Sequence, residues 1–268
     1  MPSPNTTALA ETADYLAELR LQGRSVEALP QRLMPVDLAA GYAAQRLLVQ
    51  RLTEAWGGRP AGYKIALTNP AAQQMLGVPH PVFGTLLSAR VHASGVRLAA
   101  ADYVVRIIEC EVGFEMASDV PARAEPYDAD SIAAFVAAAM PAIELVEHHF
   151  AAIDRVTPES LAADNAVHGA WIHGHKHADW RALDLAAQAT RLEVNGQLEL
   201  EGHSSKVLGH PLNALAWLAN ALPEQGLALR AGDFVTTGIT TDAIYSAAAG
   251  DELVATLGAL GEVRLAFV

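Results

Sequence analysis

The chain has 268 residues, a formal net charge of -12 and 51% hydrophobic content, which suits one large core and argues against nucleic acid or an anionic membrane as main partner. Only 18% of residues are charged, against disorder, and a single cysteine, Cys110, excludes an internal disulfide and fits a reducing cytoplasm. No apolar run is long enough to span a bilayer, and the N-terminus shows no basic stretch followed by an apolar one, so a cytoplasmic protein is expected. Asn5-Thr6-Thr7 matches a glycosylation acceptor, which carries no weight without secretion.

Apolar residues at helical spacing predict helices over 8–21 and 36–56, with Gly23 and Pro30 between them and Gly57-Gly58 closing the second. Residues 1–58 are expected to form a helical cap or arm packed on a β-rich part, 59–268. That part opens with a short strand, Gly62 to Leu67, carrying Lys64. A short helix from Asn69 and a proline-stiffened loop, Gly77 to Gly84, follow. From Arg106 to Met116 side chains alternate with period two, which predicts a strand. One face holds Ile108, Cys110, Val112, Phe114 and Met116; the other holds Glu109, Glu111, Gly113 and Glu115. An alanine-rich helix is predicted over 131–140, ending at Pro141, and then a strand, Ala142 to Val146, with Glu144 facing opposite to Ile143 and Leu145. A polar loop at Asp164-Asn165, a strand at 170–173, a hairpin turning at Asn195-Gly196, a helix over 211–222 and strands at 233–237 and 262–268 complete the pattern. Without βαβ alternation, this reads as α+β with a mixed sheet, rolled or sandwiched.

Alternate residues of a strand share a face, so Glu109 and Glu111 converge, and close carboxylates call for a hard divalent cation. A lone Glu-x-Glu is more commonly a wet strand face. Glu144, on a neighbouring strand, would complete an open Mg²⁺ or Mn²⁺ site. Lys64, in an apolar strand, either pairs with a carboxylate or snorkels to an edge. His173, His175 and His177 read as a solvated loop, His148-His149 as surface, and Cys110 as core. The loop from Gly202 to Asn213, ahead of a helix N-terminus, suits either a bound anion or ordinary capping.

Seven stretches occur in order: Gly62-Tyr-Lys64-Ile-Ala-Leu-Thr68, Gly77-Val78 through Phe83-Gly84, Glu109-Cys-Glu111, Pro141-Ala-Ile-Glu144, Asp164-Asn165-Ala166, Leu208-Gly-His-Pro-Leu-Asn213 and Gly232-Asp233 through Thr237-Gly238. Together they resemble the 2-keto-4-pentenoate hydratase and 4-oxalocrotonate decarboxylase family of the fumarylacetoacetate hydrolase superfamily. The resemblance implies that superfamily's mixed-sheet roll, with Glu109, Glu111 and Glu144 as ligands of Mg²⁺ or Mn²⁺ and Lys64 as the catalytic residue. It also implies Ser205, Thr237, Asn165 and Asp164 on the substrate side. A 2-oxo acid chelates such an ion through its carboxylate and keto oxygen. Hydration of a 2-hydroxy-2,4-dienoate then runs by ketonisation and addition of water at C4, in the catabolism of aromatic compounds. A homo-oligomer, or association with a paralogous decarboxylase or hydratase, is implied as well.

One departure bears on the reaction. Where hydratases of this family commonly read Pro-Asp-Phe-Gly, the chain has Pro81-Val82-Phe83-Gly84. The lost carboxylate brings the chain nearer the decarboxylase branch, with His80 as a possible substitute acid, while Leu208-Gly-His-Pro-Leu-Asn213 looks like the hydratases. Hydration is the first expectation and decarboxylation of a 2-oxo-3-enedioate the second. Cleavage of acylpyruvates and a non-catalytic partner subunit stand behind them.

Overall fold

The computed structural model describes residues 6–151 and 156–268, so Asn5 of the glycosylation match lies outside the described residues. Helices α1 (Thr6–Gln22) and α2 (Leu38–Trp56) come first, with the Asp37 carboxylate capping α2 at the Ala40 amide. Next are β1 (Pro60–Ala66), α3 (Pro70–Leu76), β2 (Val82–Leu87), β3 (Val91–Ala93), β4 (Val96–Leu98) and β5 (Ile107–Met116). They are followed by α4 (Ala129–Ala133), β6 (Val136–Val146), α5 (Pro158–Ala163), β7 (His168–His173), β8 (Ala189–Val194), β9 (Gln197–His203) and α6 (Pro211–Ala221). Then come β10 (Phe234–Thr236), β11 (Tyr245–Ser246), β12 (Glu252–Leu257) and β13 (Glu262–Phe267).

The strands form two mixed sheets. The larger runs β2-β1-β10-β5-β6-β7-β3, with β11 also on β5; the smaller runs β4-β13-β12-β8-β9. Ile108, Cys110, Val112 and Phe114 are fully buried and share one apolar cluster with Leu253, Ala255, Val263 and Leu265 of the small sheet. The two sheets therefore pack face to face. A second apolar layer joins Leu16, Leu48 and Leu52 of the N-terminal helices to Val82, Val146 and Leu161. Each of these leucines is almost completely buried, worth about 1.5–3 kcal/mol apiece, enough to fasten both helices to the rest. No described helix is long and apolar enough to cross a membrane.

The α+β expectation holds, and so does the turn at Asn195-Gly196, where φ of 52° and 77° joins β8 to β9. The predicted helix over 131–140 does not hold. α4 stops at Ala133, and Val136-Ala-Ala-Ala-Met140 is the first half of β6, between β5 and β7. The helical preference of alanine yields there to pairing along β5, where Val136, Ala138, Ala139 and Met140 lie opposite Met116, Glu115, Phe114 and Gly113. Pro141 is tolerated because its carbonyl accepts from Gly174 beyond the end of β7. Its missing amide faces the same side, where the β6–β7 ladder has run out. The expected loop before Gly84 is likewise partly strand, since β2 begins at Val82 and pairs antiparallel with β1.

Candidate metal centre and active site

Pairing in the large sheet assembles the acids. β5 and β6 lie antiparallel with Glu109 opposite Glu144, which puts Glu109, Glu111 and Glu144 on one face, away from the inter-sheet core. Each offers a carboxylate oxygen, all within 4.8 Å of one another. Among the described residues this is the one set of three or more metal-ligating side chains so gathered. Gly113 lies next along the same face, and a Cβ there would come within 2.7 Å of the Trp171 indole, so glycine lets Trp171 close that end.

Lys64 arrives from β1, which runs parallel to β10 with Lys64 opposite Thr236. Its ammonium is buried, donates to the Ala166 carbonyl at 3.0 Å and pairs with Glu144 Oε1 at 3.1 Å. His168 Nδ1 meets the same Glu144 oxygen at 3.0 Å, and the Thr236 hydroxyl donates to Glu111 Oε2. Thr236 and His168 are functional neighbours that the sequence did not disclose. For Thr236, the doublet with Thr237 was visible, but which hydroxyl faces the acids depends on β10's pairing. His168 carries no local signal. Strand alternation from Trp171 would turn it to the opposite face, and a bulge between Leu145 and Val146 in the β6–β7 register turns it back.

Burial pushes the Glu109 carboxyl up to about 7 against the pull of Lys64, with Glu144 adding to the rise. Burial, then Glu144 and Glu109, hold Glu111 well above the ordinary carboxylate range. Glu144 goes the other way: burial raises it, but Lys64 and His168 outweigh that and keep it ionised. Burial depresses Lys64, yet Glu144, Glu109 and Glu111 overcome it, leaving an ammonium rather than a neutral amine. Burial keeps His168 neutral despite Glu144, so its proton belongs on Nδ1, facing the carboxylate.

The donor set fits a hard divalent cation. All three ligands are carboxylates, and the buried oxygens Glu111 Oε1 and Glu144 Oε2 lack any hydrogen-bond partner. Protonation relieves such crowding only in part; a cation relieves it fully.

The remaining expected site residues are placed differently. Asp164 is buried and turned to Arg20 of α1, with the guanidinium Nε 2.8 Å from Oδ1. Asn165 uses its amide on β2, accepting from Thr85 N at 2.7 Å and donating to Thr85 O at 2.9 Å. Thr237 is buried, its hydroxyl on the Val112 carbonyl at 2.8 Å, one residue past the threonine that reaches the acids. Ser205 is exposed, 2.8 Å from the His203 ring. Val82 is fully buried in the apolar layer under α1 and α2. His80 lines a groove with Tyr42, Phe83 and Trp217 that no triad residue lines. His149, expected at the surface, is buried, with Nδ1 2.8 Å from the Arg24 carbonyl. Cys110 is free and buried, as expected of a core residue.

The fumarylacetoacetate (FAA) hydrolase C-terminal family matches residues 68–268, three-quarters of the chain and most of this site. The chain belongs to that family. This FAA hydrolase-family chain is 34% identical to a 2-keto-4-pentenoate hydratase of Burkholderia vietnamiensis, over 97% of each chain. It is 33% identical to a 2-keto-4-pentenoate hydratase of Paraburkholderia phymatum, over 95% of each. Among solved structures it resembles 4-oxalocrotonate decarboxylase from Pseudomonas putida G7, complexed with magnesium and adipate, at a TM-score of 0.91 and 25% identity over 99% of each chain.

Proposed function

We propose that this protein is a divalent-metal-dependent hydro-lyase that adds water to a 2-hydroxy-2,4-dienoate, giving a 4-hydroxy-2-oxo acid in the catabolism of aromatic compounds. The observation that carries the proposal is the buried three-carboxylate set with Lys64 bonded into it, in a chain similar along nearly its whole length to two hydratases. Glu109, Glu111 and Glu144 would hold the ion, Mg²⁺ or Mn²⁺. When bound, it would supply a Lewis acid and a template for the carboxylate and keto oxygens of the substrate.

The chain's own residues do the rest. Glu144 keeps its charge because Lys64 and His168 share its Oε1, and Thr236 fixes the rotamer of Glu111. Lys64 keeps its ammonium in the site, held in place by the Ala166 carbonyl, where its charge would steady the enolate through which dienol and ketone interconvert. Trp171 closes one end of the site, which helps to keep stray water out. Ser205, exposed in its loop, stays the candidate hydroxyl on the substrate side. Asp164 and Asn165 serve by position, bonded as they are to Arg20 and β2. Residues 1–58 act as a helical arm on the catalytic part, 59–268. A cytoplasmic homo-oligomer, able to pair with a paralogue, completes the reading, and light scattering of the purified protein tests that assembly.

Decarboxylation of a 2-oxo-3-enedioate is the second reading, favoured by the apolar Val82 and by the decarboxylase likeness in fold. The deciding assay offers purified protein and Mg²⁺ both a 2-hydroxypenta-2,4-dienoate and an oxalocrotonate, following chromophore loss and CO₂. The dienoate is expected to disappear without CO₂ and Glu109→Ala to be inactive. Wild type and Glu109→Ala turning over equally slowly would sink the proposal, and CO₂ release from oxalocrotonate as the faster reaction would replace it with the second reading.

A further inference from the structure

Behind the acids lies a short segment whose backbone is strained. Asn165, Ala166 and Val167 have φ of 53°, 50° and 54°, three successive left-handed residues of which none is glycine and one is β-branched. Such a run persists only where its surroundings hold it. Three bonds leave it toward the site: the Ala166 carbonyl accepts from Lys64, the Asn165 amide grips Thr85, and His168, its next residue, reaches Glu144. Gly84 of β2 makes room, since a Cβ there would stand 2.3 Å from the Asn165 carbonyl.

One side chain spans both ends of the run. Arg20, on the N-terminal helix α1, is buried, with its Nε on the Asp164 carboxylate at 2.8 Å and Nη2 on the Asp164 carbonyl at 3.0 Å. Its Nη1 donates to the His168 carbonyl at 2.9 Å, and Nη2 also reaches the Glu147 carbonyl at 3.3 Å. The planar fork thus clamps the residues before and after the left-handed run while its charge is matched by Asp164.

We infer that Arg20 is a positioning residue of the active site: with Asp164 it holds the Asn165–Val167 turn in its strained form, and so sets Lys64, His168 and through them Glu144. The helical arm then completes the catalytic centre without touching substrate. A lysine at this position keeps the charge but is a point donor and cannot bridge Asp164, His168 and Glu147 at once. Relieving the strain should lessen the need for the clamp, and glycine at position 166 does that because it accepts positive φ freely.

The kinetic part rests on the hydratase reading; the binding part does not. The variants are Arg20→Lys, Ala166→Gly and the double variant. The readouts are Mn²⁺ affinity, from the electron paramagnetic resonance of free Mn²⁺, and kcat and KM on 2-hydroxypenta-2,4-dienoate with Mg²⁺. Arg20→Lys is expected to weaken Mn²⁺ binding at least fivefold and lower kcat at least tenfold, with KM within threefold of wild type. Ala166→Gly is measured as the reference for the pair, and the double variant should regain at least threefold over Arg20→Lys in both Mn²⁺ affinity and kcat. Wild-type Mn²⁺ affinity in folded Arg20→Lys overturns the inference, as does a double variant no better than Arg20→Lys. If Arg20→Lys does not fold, Asp164→Asn, which keeps the side chain's shape, is judged by the same Mn²⁺ criterion. A wild-type enzyme inert toward the dienoate counts against the hydratase reading alone, and the Mn²⁺ affinities still decide the role of Arg20.

Discussion

Replacing His168 by leucine removes one of the two donors on Glu144 Oε1 and leaves the other, Lys64 at 3.1 Å, in place. A group that orients a metal ligand from behind is typically worth about 10–100-fold in metal affinity, or roughly 1.4–2.7 kcal/mol. Because Lys64 still charges and steers Glu144, the loss is expected in the lower half of that range. Thermal stability should fall as well, since a buried hydrogen bond to a charged acceptor is worth about 1.5–3 kcal/mol. His168→Asn carries an amide N–H near the place of the imidazole Nδ1, so it should recover most of the affinity while filling less space. Titration with Mn²⁺ by calorimetry, on variants shown by circular dichroism to be folded, reads both effects. A folded His168→Leu protein that binds Mn²⁺ as wild type does would refute the claim that His168 orients Glu144.

Three further outcomes follow from the same geometry. Glu111→Gln keeps the Thr236 contact but removes a ligand charge, so Mn²⁺ binding and turnover should both be lost in a protein as stable as wild type or more so; retained binding at wild-type affinity counts against the triad. With Glu109 raised to about 7 and Glu111 held well above the ordinary carboxylate range, the stabilising contribution of their neutral forms is present at low pH and lost as pH rises, for Glu109 through about 7; Glu144, shifted downward, titrates below this window. The rise in melting temperature on adding saturating Mg²⁺ should therefore be larger at pH 8 than at pH 5.5, and a rise independent of pH contradicts the assignment. Burial, with Glu111 and Glu109 beside it, pushes the Cys110 thiol up, so a thiol reagent should label the protein only after denaturation; rapid labelling of the native protein would place Cys110 outside the core.

The acids were legible because period-two alternation is local. Glu109 and Glu111 share a face in any strand, and Glu144 falls opposite Ile143 and Leu145 whatever its neighbours are. What the sequence could not express is pairing. Thr236, not Thr237, reaches the acids because β10 sits between β1 and β5 in one particular register. His168 reaches them through a bulge, and Arg20 through the docking of a helix more than a hundred residues away in sequence. The alanines of 136–140 misled for a related reason: their intrinsic preference is helical, and only their pairing with β5 makes them a strand. The motif Asp164-Asn165 was noticed for a site role, yet its side chains turn to Arg20 and Thr85, so the order of residues located the segment without giving its direction.

The parallel pairing of β1 with β10 has a consequence for how the protein comes into being. Lys64 is made early and Thr236 late, and the strand carrying Thr236 is wedged between those carrying Lys64 and the first two acids. A chain emerging from the ribosome therefore cannot close the large sheet until its last quarter is available, and contacts so distant in sequence form slowly. Until then the acids have no complete cage, and a divalent ion has little to recognise. Cation capture should be among the final events of folding, acting as a lock on the finished sheet rather than a nucleus for it.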